Sequence, residues 1–578
     1  MAYICEYCGE LAEDGKKCIC RKEAAREALK KRKKRYILKE RKEKDLAAHI
    51  LKSRNIEESL EDFSAIPFQR LFEERFLNQE EAEKKIIAAL DQKKRIAIYG
   101  DYDADGITGT AVGVNILRGL GGDVIPYIND RFEEGFGIHP KGVEALARQK
   151  ASLIITVDNG IAGIDGVEKA RELGIDVLVT DHHEPNNSLP DCLIVDPKQP
   201  GCPYSNKEIT GVGVLFKILL QVCRHYGKES LAKKEMDLVA LGTVADMAPL
   251  LGENRILVKA GLLIWNHEKG KYGIKQLLKE MGISRQVTAY DLGFLIAPAF
   301  NAESRLKGRP VHALKVLTSR SREEMEEGAR QLVALNEKRK AMLDEQIALG
   351  ERLIEEDKEL FFIYHESIAE GIAGLIASRL MDAYGRPVIV LGRTAEGIYK
   401  GSGRSIPEFD LKKALDKNAP LLLKYGGHRQ ACGLSVTEDN LQAVKSFLET
   451  EGKMVLGGKE RIEEISLDGE LSAEDLQPEI IERMAALEPY GIGFPKPQFL
   501  LRGVVPAEVR LMKEVHSKFT FGNADILAFN RQVEEGKALD VTGIPGINEY
   551  KGKRRVQFIV KEIIEEEAEL CGYGTSQE

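Results

Sequence analysis

Residues 94–106 read KRIAIYGDYDADG, a short apolar strand running straight into a loop of glycine and aspartate. The loop DYDADGITG (101–109) gives way to a helical stretch, TAVGVNILRGL (110–120). The same unit recurs downstream. DVIPYI (123–128), ASLIITVD (151–158) and DVLVTD (176–181) are further strand-like runs, the last two closing on an acidic residue. Helical stretches such as GVEALARQ (142–149) and GVEKARELG (166–174) lie between them. This strand–helix alternation predicts an α/β fold with a parallel, doubly wound sheet. Functional groups in such sheets gather beyond the carboxyl ends of the strands. Here three of those ends read GDYDADG, VDNG and TDHH.

Asp101, Asp103 and Asp105 place three carboxylates within five residues. They repel one another unless a cation or hydrogen-bond donors fill the space between them. The run matches the opening of a calcium-binding EF-hand loop, but its twelfth position is Val112 rather than Glu, and a strand rather than a helix precedes it. The other strand ends supply matching ligands: Asp158, the Asp181-His182-His183 run, and Asp246 in LGTVADMAPL (241–250). Asp158 is the candidate bridge between two cations, with Asp103 on one side and Asp105, His182 and Asp246 on the other. Mixed carboxylate and imidazole ligands suit Mn²⁺, with Mg²⁺ as a substitute. Two such ions support hydrolysis of a phosphoester or phosphoanhydride. GVGVLF (211–216) is not a dinucleotide-binding fingerprint, because Phe216 stands at the third glycine position.

At 578 residues the chain exceeds what one core accommodates, and its length suggests roughly three to five domains. No apolar run reaches the roughly 18 residues of a membrane span, and no signal-peptide core follows the first Met, so a cytoplasmic protein without a membrane partner is expected. A net charge of −8 leaves nucleic-acid binding open, since averages hide patches. Cys5, Cys8, Cys18 and Cys20 have the spacing of a structural Zn²⁺ site, and the other five cysteines are scattered. The Lys/Arg-rich stretch 21–52 reads as a solvated helix. A long helix with one apolar stripe is expected over 321–357, and a second α/β segment follows it. The short strand-like runs QFLLRGVV, KFTFGN, ADILAFN, ALDVTGI and RRVQFIVKEI near the C-terminus suggest an OB-like β-barrel. The expected division is 1–45 (Cys cluster and basic extension), 46–320 (catalytic), 321–357 (linking helix), 358–455 (second α/β domain) and 456–578 (OB-like).

DYDADG, VDNG, DHH and GTVADM, in this order, resemble the DHH phosphoesterase superfamily. RFEEGFGI (131–138), PAFNAESR (298–305), LNEKRK (335–340), GIAGLIASRL (371–380), SGRS (402–405), YGGHR (425–429) and LEPYGIGFPKPQF (487–499) look particularly like its RecJ family. The GGH element is similar to the motif of the associated DHHA1 domain, which the segment 358–455 would then be. The chain departs from the family pattern at Phe300, Ser304 and Phe494, where Leu, Gly and Asn are more usual.

The resemblance implies roles for the matched positions. Asp103, Asp105, Asp158, His182 and Asp246 would bind the two metals. Asp101 and His183 would serve catalysis, His183 by reaching the scissile phosphate. Arg131, Arg305, Ser402, Arg404 and His428 would hold DNA phosphates, including the 5′ end, for which the planar arginine fork is suited. The implied activity is 5′-to-3′ degradation of single-stranded DNA to mononucleotides in repair and recombination, with a helicase and a single-strand binding protein as partners. The alternative within the superfamily is hydrolysis of short oligoribonucleotides, cyclic dinucleotides or pyrophosphate; those relatives are typically shorter and lack the C-terminal barrel. A scaffold that has lost its metals would show eroded carboxylates, and all the expected ligands are present.

Overall fold

Five parallel strands carry the N-terminal α/β region of the chain, seen here in a computed structural model: β1 (Arg95–Gly100), β2 (Asp123–Ile128), β3 (Leu153–Val157), β4 (Asp176–Thr180) and β5 (Leu193–Val195). The structure describes residues 3–4, 11–12, 32–268, 270–550, 552–564 and 569–572. The four N-terminal cysteines, and with them the expected Zn²⁺ site, lie outside the described residues. Strand order is β2-β1-β3-β4-β5, so the chain leaves β1 to one side and then returns to the other. The crevice outside β1 and β3 is the switch point at which such sheets bind ligands. Every residue of β3 is buried, as a strand covered on both faces requires.

Helix α1 (Ala104–Gly119) follows β1 and covers one face of the sheet. Asp103 caps it, accepting hydrogen bonds from the backbone of Asp105 and Gly106. Gly109 lets it approach: a Cβ there would lie 2.4 Å from Val157 Cγ2. Two further helices, α2 (Gly211–His225) and α3 (Met236–Ala245), pack against α1 and are buried over most of their length. They join the largest apolar core, which also holds Ile98, Val157 and Leu178 from the sheet.

The chain divides into two units. The first comprises Arg41–Glu337 and Asp468–Ile563, so the parallel sheet shares a unit with a C-terminal six-stranded sheet. That sheet is antiparallel except where Ala524–Ala528 pairs in parallel with Lys553–Ile563. Its inner face packs Phe499, Phe519, Ile526, Val541 and Phe558 against Leu46, Ile50 and Phe63. The second unit contains Lys338–Leu467 with the chain termini. There a five-stranded sheet runs in the order Lys424–His428, Ala431–Val436, Tyr399–Arg404, Val388–Arg393, Phe361–His365. The long helix occupies Arg322–Leu353, within the expected 321–357.

Residues 21–31 of the basic stretch lie outside the described residues; from residue 32 onward the expected solvated helix is not found, and Lys33–Leu38 is a strand, paired in parallel with Ile462–Leu467 and Glu569–Gly572. Lys33 and Arg35 bond Glu569, and Arg35 also reaches Glu464, so the cations meet carboxylates on the neighbouring strands. Tyr36 points into the core. Leu46–Ser53 is a helix, but Leu46, Ala47, Ile50 and Leu51 are buried. Strand Ile462–Leu467 therefore belongs with the second unit rather than with the OB-like segment to which the sequence reading assigns it. Local pattern cannot register pairing between segments some 400 residues apart. Among the described residues no helix is long and apolar enough to cross a membrane.

Candidate metal centre

The ends of β1, β3 and β4 meet over α1 and α2, and each contributes acidic or imidazole groups. Asp101 leaves β1 and is buried, its Oδ1 accepting a hydrogen bond from Asn129 just after β2. Asp158 follows β3 with φ +61°, a left-handed backbone that glycine, asparagine and aspartate adopt more readily than other residues. His182 Nε2 lies 3.0 Å from Asp158 Oδ1, 3.9 Å from Asp105 Oδ2 and 3.8 Å from Asp246 Oδ2. Asp246, at the carboxyl end of α3, is the most open of these groups, with 32% of its side chain exposed.

Three overlapping triads result: Asp101–Asp103–Asp158, Asp158–His182–His183 and Asp105–His182–Asp246. Within each, one ligand atom per residue lies within 4.8 Å of the others. Asp158 and His182 each belong to two triads. The structure thus gathers Asp101, Asp103, Asp105, Asp158, His182, His183 and Asp246 at one place, and adds Asp101 to the Asp103 side.

The electrostatics show what chemistry suits the cluster. Burial, then repulsion from Asp246 and Asp103, pushes Asp105 well above the usual carboxylate range. Asp158 is raised by burial and by Asp105, Asp103 and Asp101. Burial and the Asp103 charge lift Asp101 to about 8 and Asp246 to about 7. Burial lowers His182 to about 4, so its imidazole is neutral and free to ligate. A carboxylate set that resists ionisation together, beside a neutral imidazole, fits divalent cations, which would neutralise the repulsion.

His183 behaves oppositely. Burial works against its cation, but its hydrogen bond to Asp181 and the carboxylate field overcome that and raise it to about 9. Asp181 Oδ1 lies 2.8 Å from His183 Nδ1 and also accepts the backbone N–H groups of His182 and His183. Its Oδ2 takes the N–H of Ile161. Fully engaged, Asp181 orients His183. The Phe136 ring meets His183 edge-on at 4.9 Å.

The phosphate-binding candidates fall into two groups. Arg131 stacks over Tyr102 at 4.7 Å, and the charge of Arg305, on the helix Ala297–Lys307, acts on the same phenol. Ser402 and Arg404 lie in the second unit, where Gly374 leaves them room: a Cβ there would meet Arg404 Nη2 at 3.1 Å and Ser402 Oγ at 3.4 Å. Arg404 and His428 each pair with Ala431, on opposite sides of its strand.

The sequence reading misses three groups. Gly211 and Val212 open α2 by donating their N–H groups to Asp105, at 2.7 and 3.1 Å, so the start of GVGVLF serves the acidic cluster. Asn129 carries no motif of its own. Asp196, beyond β5, is buried and pushed up to about 7 by burial. The run LIVD (193–196) repeats the apolar-strand-then-acid pattern and was legible as such.

Comparison with known proteins agrees with this architecture. Residues 95–243 match the DHH family, N-terminal domain; residues 357–453 match the DHHA1 domain; residues 467–562 match the RecJ OB domain. The single-stranded-DNA-specific exonuclease RecJ of Bacillus subtilis (strain 168) is 35% identical over 510 residues, covering 85% of this chain and 64% of that protein. The RecJ exonuclease of Dickeya dadantii (strain 3937) is 36% identical, covering 82% of this chain and 88% of its own length. The chain thus spans less than two thirds of the first relative and most of the second. The crystal structure of RecJ in complex with Mn²⁺ from Thermus thermophilus superposes with a TM-score of 0.79 at 30% identity, covering 91% of this chain and 76% of that one. Three domain types in one order, together with identity sustained along most of the chain, place it in the RecJ family.

Proposed function

We propose that this protein is a metal-dependent exonuclease that degrades single-stranded DNA from the 5′ end to mononucleotides. The observation that carries the reading is the convergence at the strand ends of three triads linked through Asp158 and His182. Mn²⁺, with Mg²⁺ as substitute, would supply Lewis acidity and an activated water at two positions. Asp101, Asp103 and Asp158 would hold one ion; Asp105, His182 and Asp246, with Asp158, the other.

The remaining work belongs to the chain itself. Asp181 holds Nδ1 of His183, leaving Nε2 to donate to an oxygen of the scissile phosphate. The high affinity of His183 for its proton keeps it a donor at neutral pH. Asn129 fixes Asp101, and the start of α2 fixes Asp105, so the acidic groups keep their spacing before substrate arrives. Arg131 and Arg305 offer charge beside Tyr102 for the strand, while Ser402, Arg404 and His428 provide anion donors for a 5′ phosphate. The OB domain suits a single strand, because such sheets track a backbone and stack its bases. It also counts against the alternative of short oligoribonucleotides or cyclic dinucleotides, which need no such module.

The same reading puts the protein in the cytoplasm, in repair and recombination, with a helicase and a single-strand binding protein presenting its substrate. Digestion of single-stranded DNA labelled at one end or the other, with Mn²⁺, tests it. Early release of labelled mononucleotide from the 5′ end alone, lost in an Asp158→Asn protein, is the expected result. Hydrolysis of dinucleotides or pyrophosphate without DNA cleavage would keep the metal site and overturn the substrate.

A further inference from the structure

Beside the metal centre an apolar groove of about 740 Å³ runs between the carboxyl end of α3 and the segment that leads into the C-terminal sheet. Its near wall includes Val244, Ala245 and Met247, which flank Asp246; its far wall spans Glu488 to Lys496, just before the strand Phe499–Val504. The groove therefore lies between the sequence neighbours of Asp246 and the segment before the OB sheet, within one unit.

The rings at its mouth are unusual for a protein surface. Tyr290 and Phe294 are 62% and 69% exposed, yet their rings stack on each other at 4.7 Å with 25° between planes. Met247 and Leu263 beside them are 66% and 65% exposed. Core packing does not account for large apolar groups this open, and contiguous exposure of this kind marks an interaction site. The backbone adds an independent sign. Leu292–Ile296 is a π-helical turn in which the Ala297 N–H reaches back to the carbonyl of Leu292. Pro298 lacks the N–H that an α-helix would direct to the carbonyl of Phe294, so the turn widens there. Leu292 and Ile296 remain buried while Phe294 faces outward. Such turns recur at functional sites.

We propose that the Tyr290–Phe294 pair is a base-stacking platform for the single strand beyond the scissile phosphate. Nucleobases are the occupant that fits a flat exposed ring pair, since every base offers a π-face. The charges that line the groove, Lys259 and Lys496 against Glu488, leave a positive excess suited to the intervening phosphates. A strand whose phosphate sits at Asp246 meets the groove next, and the OB sheet after it. The inference rests on the single-strand nuclease reading above and names where that strand is gripped.

The test uses the full chain carrying Asp158→Asn to suppress cleavage, with 5′-phosphorylated oligodeoxynucleotides labelled at the 3′ end. Each oligonucleotide has one abasic residue, moved stepwise from the 5′ end. At one or two positions the abasic residue should weaken binding about tenfold, a typical loss for one stacked base. Tyr290→Ala with Phe294→Ala should cost the same on intact DNA, and the two losses should not add. Phe294→Leu, which keeps apolar volume but no ring, should reproduce part of the loss if the double variant folds poorly. Undiminished binding by both ring variants, or fully additive losses, would overturn the platform. A change in oligomeric state with unaltered DNA affinity would assign the groove to a second copy of the chain and overturn it equally. If the unmodified protein neither binds nor cuts single strands, the nuclease reading itself falls and the platform with it, a pattern distinct from loss in the ring variants alone.

Discussion

Asp105 and Gly211 are joined by a 2.7 Å hydrogen bond that fastens the acidic loop after β1 to the first turn of α2. The Gly211 N–H donates to Oδ2 while that of Val212 donates to Oδ1, so the helix start stabilises a carboxylate that burial penalises. Gly211 has no alternative at this position. A Cβ there would sit 2.5 Å from Asp158 Cβ and 2.6 Å from its Cα, within contact limits that neither backbone can relieve. Gly211→Ala should therefore displace Asp105 and Asp158 together. A shift near 1 Å at reacting groups costs on the order of 100-fold in rate. Calorimetric Mn²⁺ titration and single-turnover cleavage should both show the loss; normal Mn²⁺ affinity in the variant would refute the coupling.

Asp158 combines a left-handed backbone with a buried, crowded carboxylate. The two demands separate in substitution. Asn tolerates the +61° φ, whereas Ala pays about 1 kcal/mol or more for it. Both remove the repelling charge. In the metal-free protein at pH 8, Asp158→Asn should melt higher than the unmodified chain, and Asp158→Ala should gain less. Neither should show the rise in Tm that Mn²⁺ gives the unmodified chain. An undiminished Mn²⁺ response in Asp158→Asn would remove Asp158 from the ligand set.

Metal-free stability should fall as pH rises. Asp101, raised to about 8, and Asp246, raised to about 7, hold their protons more tightly when folded than the roughly 4 of an unfolded aspartate. Asp105 and Asp158 shift in the same direction. Groups with raised folded values contribute stability below the unfolded value, and that contribution is lost as pH climbs through the folded ones. The window is thus about pH 4 to 8. Mn²⁺ binds the ionised cluster, so the Tm increment between EDTA and MnCl₂ should widen from pH 5.5 to pH 8. A constant increment across that range would contradict the raised carboxylates.

Much of this centre is legible in the sequence, for a physical reason. A strand must deliver its last residue to the sheet edge, so acids closing apolar runs, as Asp158 closes ASLIITVD, declare their location. The residues that align those acids leave no such trace. Gly211 acts by lacking a side chain, and Asn129 by one hydrogen bond to Asp101. The basic stretch misleads because charge suggests solvent, whereas Lys33 and Arg35 find Glu569 and Glu464 through strand pairing far along the chain.

The Asp181–His183 pair separates positioning from ligation. Asp181 accepts from Ile161, His182 and His183 and has no place in the three triads. Asp181→Asn should keep Mn²⁺ affinity while removing the charge that raises His183. Proton donation by a positioned side chain is typically worth about 10²–10⁴-fold, and turnover should fall within that span. The alkaline limb of the pH–rate profile should also move to lower pH, because His183 would lose its proton sooner. A proportional loss of rate at every pH, with the limb unmoved, would show that Asp181 acts only through the fold.

Arg255 ties the catalytic core to the segment preceding the OB sheet. Its guanidinium donates to the carbonyls of Phe63, Leu487, Glu488 and Pro489 at 2.8–3.2 Å and lies 3.8 Å over the Phe63 ring. Removing the guanidinium takes the donor from these carbonyls, and each buried acceptor without a donor costs about 1–3 kcal/mol. Arg255→Met fills the volume but supplies no donor, so unfolding stability should drop by on the order of 3 kcal/mol. Arg255→Lys should recover little, since one ammonium cannot reproduce a planar fork that spans four carbonyls. The far wall of the Tyr290–Phe294 groove is this same segment, so single-strand affinity should weaken with stability while Mn²⁺ binding at the strand ends persists. Denaturant titration and limited proteolysis across residues 485–497 measure both consequences. Loss of Mn²⁺ binding in step with stability would mean that Arg255 supports the whole catalytic core rather than its junction with the OB domain.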